Sequence, residues 1–222
     1  ASGEQPGYAC GIIVSAMRMF DASFSPYYEA YVSLHRHRPM REIIAQASVD
    51  LVRAAIRLRD DEGLPIVGFD LAGQEYGYPV GAHAQAYRIA QENFLKKTVH
   101  AGEAFGPESI FQAITSLNAD RIGHGYHLFS PDLIVSEDIE DPSSYVKALA
   151  HYIADKRVTV EVCLTSNLQT MPELARLGDH AFGQMLDNRL SVALCTDNRL
   201  VSNTTVCREI QLAIQHFDIT PD

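Results

Sequence analysis

Residues 98–103, Thr98-Val99-His100-Ala101-Gly102-Glu103, end a short β-prone run with an imidazole and a carboxylate three positions apart. That pair suits a metal-bound water beside an acid/base carboxylate, and the small residues between let a ligand approach the backbone closely. A solvated strand end looks the same, so the other strand ends decide. His124 stands between Gly123 and Gly125; Asn167 follows Thr165-Ser166; Asp197 and Asn198 follow Cys195-Thr196; Asp70 and Gly73 follow residues 66–69. Each has an ordinary reading. His124 could be a loop histidine bonded to backbone, Asp197-Asn198 a turn or helix cap, Gly73 a tight turn. Asp70 reads as a structural hydrogen-bonder, and His127, His151, His180 and His216 as surface or packing residues.

The elements that must position these side chains alternate. Residues 10–20 are apolar and β-branched early, a buried strand ending near Met17-Arg18. Residues 24–38 read as irregular, with three tyrosines and a basic cluster. Residues 40–59 form an amphipathic helix with Ile43, Ile44, Ala47, Leu51, Ala54, Ala55 and Leu58 on one face, stopped by Gly63 and Pro65. Strands follow at 66–69, before His100, at 121–125, 158–164 and 190–195. Helical patterns lie at 83–96, 107–117, 143–155, 181–188 and 205–216. Apolar strands alternating with helices are the signature of a parallel sheet covered by helices. The chemistry-bearing residues all follow strands. In a (β/α) barrel those ends share one face, whereas in a doubly wound sheet only ends near the switch point converge. Metal-type residues on four separate strand ends favour the barrel, with 1–222 as a single domain.

Composition bounds the rest. The 222 residues are 46% hydrophobic and 21% charged, ordinary for a soluble globular protein. A formal charge of −10 argues against nucleic acid or an anionic membrane as partner. No apolar run approaches a membrane span. Cys10, Cys163, Cys195 and Cys207 are too scattered for a disulfide scaffold, and no Cys-x-x-Cys occurs, so a reducing, cytoplasmic setting is expected. Residues 1–7 are polar and read as a fraying or cut start.

The segments GFDLAGQE (68–75), TVHAGE (98–103), RIGHG (121–125), EVCLTSN (161–167) and CTDN (195–198), in this order, resemble the adenosine deaminases of the metal-dependent hydrolase barrel group. The resemblance covers about residues 7–216. It implies a zinc-dependent hydrolytic deamination of adenosine or 2′-deoxyadenosine at C6 to inosine or 2′-deoxyinosine, releasing ammonia. By motif, His100 and Asp197 would ligate Zn2+, and Glu103 would protonate purine N1. His124 would position the attacking water and stabilise its charge; Asp197 would also help deprotonate it. The Gly73 backbone would contact the purine. The chemistry fits these residue types, because zinc lowers the pKa of its water toward neutrality and addition at C6 needs an acid at N1.

Two departures from the family's pattern matter. Asn198 stands where the family usually has a second aspartate facing purine N7; an amide donates to that acceptor at any pH. The family's first strand carries a His-x-His supplying two further zinc ligands, and by position residues 10–18 resemble the third barrel strand. The resemblance therefore implies a (β/α)₈ TIM barrel present as about strands 3 to 8. His35-Arg36-His37 lacks an apolar run before it and reads as a solvated insertion. The expected partner is a purine nucleoside, together with the N-terminal segment or a second copy that would complete the barrel. Alternative readings are a deaminase of adenine or of an N6-substituted adenine nucleotide, and a non-catalytic nucleoside-binding or interaction fragment. The cytosine-type zinc deaminases are set aside, since their Pro-Cys-x-x-Cys is missing.

Overall fold

Six β-prone runs form strands: β1 Ile12–Met17, β2 Ile66–Ala72, β3 Lys96–Ala101, β4 Arg121–His124, β5 Thr159–Val162 and β6 Ser191–Leu194. Between and after them lie helices α1 Pro26–Leu34, α2 Met40–Glu62, α3 Ala84–Glu92, α4 Pro107–Ser116, α5 Pro142–Lys156, α6 Leu164–Thr170, α7 Phe182–Asp187 and α8 Val206–His216. This is a computed structural model that describes Gly7 and residues 9–219, so the polar start lies, Gly7 apart, outside the described residues. The chain divides into two compact units, one running to Thr98 with Ser116–Asn118, the other comprising Val99–Thr115 and the residues from Ala119 on. β3 passes from the first into the second.

In the first unit β1, β2 and the start of β3 pair in parallel, with Ser15 opposite Asp70 and Gly68 opposite Lys96. Ser15 Oγ donates to Asp70 Oδ2 at 2.7 Å. Asp70 thus sits inside β2, not beyond its end, and is the structural hydrogen-bonder expected. α2 buries Ile43, Ile44, Ser48, Val49, Val52 and Ala55, while Ala54 and Leu58 are exposed. The buried stripe is therefore rotated from the expected one. Ser48, a polar residue, lies inside because its hydroxyl sits 2.8 Å from His83 Nδ1. Gly63, left-handed at φ +70°, ends the helix as expected.

Residues 26–34 correct the irregular reading of this stretch. Ser25 caps α1 by accepting from the Tyr28 N–H at 3.3 Å, and Pro26 occupies the first turn. The helix exists because Tyr31 packs with Phe20, Ile43 and Ile44 in an apolar cluster. His35, Arg36 and His37 form the turn after it, with His35 Nδ1 at 2.9 Å from Tyr31 O. They do not form a strand pair.

In the second unit β4, β5 and β6 pair in parallel, Gly123 opposite Glu161 and Glu161 opposite Ala193. The Gly125 N–H donates to Ala101 O at 3.1 Å and the Cys195 N–H to Val162 O at 2.8 Å, joining the strand ends. Val99, Ile122, Val160, Val162 and Leu164 are fully or almost fully buried. Asp141 and Thr205 cap α5 and α8 through their side chains. α6 was not expected from the sequence. It begins at Leu164 directly after β5, so Thr165, Ser166 and Asn167 form a helical first turn rather than a strand tail. Among the described residues, no helix is long and apolar enough to cross a membrane.

Candidate active site

Alternation along β3 buries Val99 and Ala101 and leaves His100 half-buried between them. Gly123 on β4 lets that imidazole lie close, since a Cβ there would meet His100 Cγ at 3.3 Å. His124, 2% exposed, follows with its ring centroid 5.2 Å from that of His100. Its Nε2 stands 3.7 Å from Glu103 Oε2. Gly102 has φ +73°, and a Cβ there would meet Ile110 Cδ1 at 2.5 Å. Its small size thus admits the α4 side chain Ile110.

At the ends of β5 and β6 the first turn of α6 acts as a bracket. Glu209 of α8, fully buried, accepts from the Thr165 N–H at 3.1 Å, from the Thr165 hydroxyl, and from the Thr204 hydroxyl at 2.6 Å. Ser166 Oγ donates to Asp197 Oδ2 at 2.7 Å. Asn167 Nδ2 lies 3.3 Å from His124 Nδ1, and Asn167 Oδ1 lies 3.2 Å from His180 Nε2. The carboxyl of Asp197 is held below the usual carboxylate value. Burial is the largest single influence and raises it, but the Ser166 hydrogen bond, His124, the Asn198 N–H and His100 lower it and together prevail. His124 and Asp197 both have left-handed backbones, φ +65° and +53°. For a residue with a Cβ that is strain of roughly 1–3 kcal/mol, which the surrounding bonds must hold.

His100, Glu103, His124, Asp197 and Asn198 all belong to the second unit. His124 lies beside both His100 and Glu103, and Asp197 lies near both histidines. Asn198 accepts the Leu200 and Val201 N–H groups on Oδ1, each at 3.2 Å. Gly73 belongs to the first unit. Its φ is +99° and a Cβ there would meet Met17 Cε at 3.3 Å, the tight turn that was its ordinary reading. Ser166, Glu209 and His180 were not singled out as site residues. His180 is 2% exposed and joined to the site through Asn167, so of its two ordinary readings the surface one is corrected.

The donors fit zinc in kind but not in number. His100 and Asp197 supply an imidazole and a carboxylate, whereas a catalytic zinc usually takes three protein ligands. Among the described residues, no three His, Cys, Asp or Glu side chains gather to hold a metal ion. Cys195 is no substitute: burial, foremost, pushes its thiol up to about 11, and burial likewise raises Cys163. By themselves these residues do not complete a zinc site.

The adenosine deaminase family model matches residues 32–221. An adenosine deaminase of Mycobacterium marinum is 39% identical over 176 residues, covering 78% of this chain and 46% of that protein. The fold resembles the N6-methyl-AMP deaminase of Arabidopsis thaliana, at TM-score 0.66 and 22% identity over 95% of this chain and 49% of that one. It also resembles an amidohydrolase from Burkhoderia ambifaria solved with bound Zn, at TM-score 0.66 and 20% identity over 95% and 47% of the two chains. The parallel sheet is thus of the TIM-barrel type, in incomplete form. The chain spans about half the length of the curated relatives it matches.

Proposed function

The chain belongs to the adenosine deaminase family, a family of hydrolases, and from that premise we propose that it forms the greater part of the active site of an enzyme that hydrolyses adenosine or 2′-deoxyadenosine to the inosine product and ammonia. The observation that carries this reading is the meeting of Glu103 with His124, Nε2 to Oε2 at 3.7 Å, with His100 alongside and Asp197 nearby.

In this reading Glu103 gives a proton to purine N1 as charge builds on the ring. His124 and Asp197 direct the water toward C6. Asn198 faces N7. Its carbonyl oxygen is committed to the Leu200 and Val201 N–H groups, which turns the amide NH2 outward as a donor. The Gly73 backbone contacts the purine, by the family's motif, and 1–222 acts as one catalytic domain. His100 and Asp197, with further ligands from a His-x-His strand, would hold zinc, which would make hydroxide available at neutral pH. With two ligands only, this chain would need further ligands to hold a catalytic zinc. Completion comes from such a segment or from a second copy. A cytoplasmic setting is in keeping with four free cysteines.

A sister activity on adenine or an N6-substituted adenine nucleotide is the second reading. The N6-methyl-AMP deaminase is 22% identical, against 39% for the Mycobacterium marinum adenosine deaminase, so adenosine is favoured. The test measures zinc content and the adenosine-to-inosine absorbance change, on this chain and on a longer one carrying the His-x-His strand. The longer chain is expected to bind one zinc and make inosine. Stoichiometric zinc without ammonia from any adenine compound contradicts the proposal.

A further inference from the structure

Four buried groups in the second unit form a single file of hydrogen bonds whose direction is set from one end. The Phe182 backbone N–H can only donate, and it lies 2.9 Å from His180 Nδ1, so that nitrogen accepts. The proton of a neutral His180 is then on Nε2, which donates to Asn167 Oδ1 at 3.2 Å. This turns the amide NH2 of Asn167 toward His124 Nδ1, 3.3 Å away. An amide NH2 cannot accept, so His124 Nδ1 must. The opposite amide orientation would require His180 to accept at both nitrogens and carry no proton at all.

We propose that Asn167 and His180 are positioning residues that hold His124 as a neutral imidazole with its proton on Nε2, directed to the side where Glu103 lies. This rests on the proposed role of His124 at the reacting water. With the proton on Nε2 the ring offers a donor to an attacking oxygen and to a carboxylate; the other tautomer offers both a lone pair. The file is dry: Asn167 is fully buried, and His180 and His124 are each 2% exposed, so water does not compete for these bonds. The Tyr126 ring lies edge-on to His180 at 5.1 Å and limits its rotation. Burial above all lowers the His180 pKa to about 4, in keeping with an uncharged link.

The test uses this chain labelled with ¹⁵N-histidine. Long-range ¹H–¹⁵N correlation at pH 7 distinguishes the two tautomers, and the His124 signals are assigned by their loss in His124→Gln. The unsubstituted chain is expected to show the His124 proton on Nε2. Asn167→Asp replaces the NH2 by an acceptor of the same shape, and is expected to draw the proton to Nδ1. A proton on Nδ1 in the unsubstituted chain overturns the proposal, as does an unchanged tautomer in folded Asn167→Asp. The unsubstituted spectrum decides the matter even if the variant does not fold. Because the spectra need no turnover, absent deaminase activity bears on the proposed function and leaves this result standing.

Discussion

A serine-to-aspartate hydrogen bond between distant segments is found in each unit. Ser15 Oγ donates to Asp70 Oδ2 at 2.7 Å, and Ser166 Oγ donates to Asp197 Oδ2 at 2.7 Å. The first joins paired residues of two strands, with the carboxylate 5% exposed. The second joins a helix's first turn to a residue past β6 whose backbone is left-handed and whose side chain meets solvent. A buried histidine also recurs in each. His83 is bonded to Ser48 of α2, whereas His180 leads through Asn167 to His124. Bond length does not separate architecture from chemistry here. Position does: Asp70 lies inside β2 and ties two strands together, whereas His124, closing β4, and Asp197, past β6, face a site on left-handed backbone.

The widest split between the two regions is expected from a pair of near-isosteric changes. Glu103→Gln in the zinc-loaded complete protein should lower kcat by roughly 10²–10⁴-fold, since an amide cannot give up a proton to N1. Its stability should change by no more than about 0.5 kcal/mol, because the side chain is partly exposed. Asp70→Ala should do the reverse, costing about 1–3 kcal/mol of stability by stripping Ser15 Oγ of its acceptor. Inosine formation and denaturant titration check both. If Asp70→Ala abolished activity at unchanged stability, the contrast would fail.

Acid should treat the two units alike. His83 and His180 are each lowered from 6.5 to about 4, by burial first, with Arg18 adding to the shift of His83. The unfolded chain therefore binds protons that the folded chain refuses. Stability should fall as pH drops from about 6.5 toward about 4, by on the order of 3 kcal/mol for each histidine, and this contribution should then level off. Urea midpoints across that range test it. A flat profile would mean that neither imidazole is held neutral.

Smaller effects sharpen the contrast. Asn198→Ala should lower adenosine kcat/KM by about tenfold, one hydrogen bond's worth, with little effect on folding; an unchanged value would remove Asn198 from purine recognition. Ser166→Ala and Ser15→Ala should each cost about 1 kcal/mol of stability. Only Ser166→Ala should also slow turnover, and equal effects of the two on kcat would erase the distinction.

Much of this was legible in the sequence. β-branched runs located the six strands, but only Asp197 of the three lies past one: His100 is inside β3 and His124 closes β4. α1 was missed because its tyrosines blur the apolar stripe, although Ser25-Pro26 is a cap signal that could have found it. The α2 face was misplaced because a buried serine counts as polar until its partner His83 is known. His180 could not be assigned, since nothing within its own segment marks it; its role depends on a residue thirteen positions away. Nor does local sequence announce left-handed backbone at His124 or Asp197, which tertiary bonds impose.

The central claim is that side chains from separate strand ends address one purine ring. A crystal structure of the zinc-loaded complete protein with a bound purine nucleoside tests it most directly. The account predicts a Glu103 carboxyl oxygen about 3 Å from N1, His124 and Asp197 beside C6, and the Asn198 amide at N7. A nucleoside bound with none of these four side chains touching its base would contradict it.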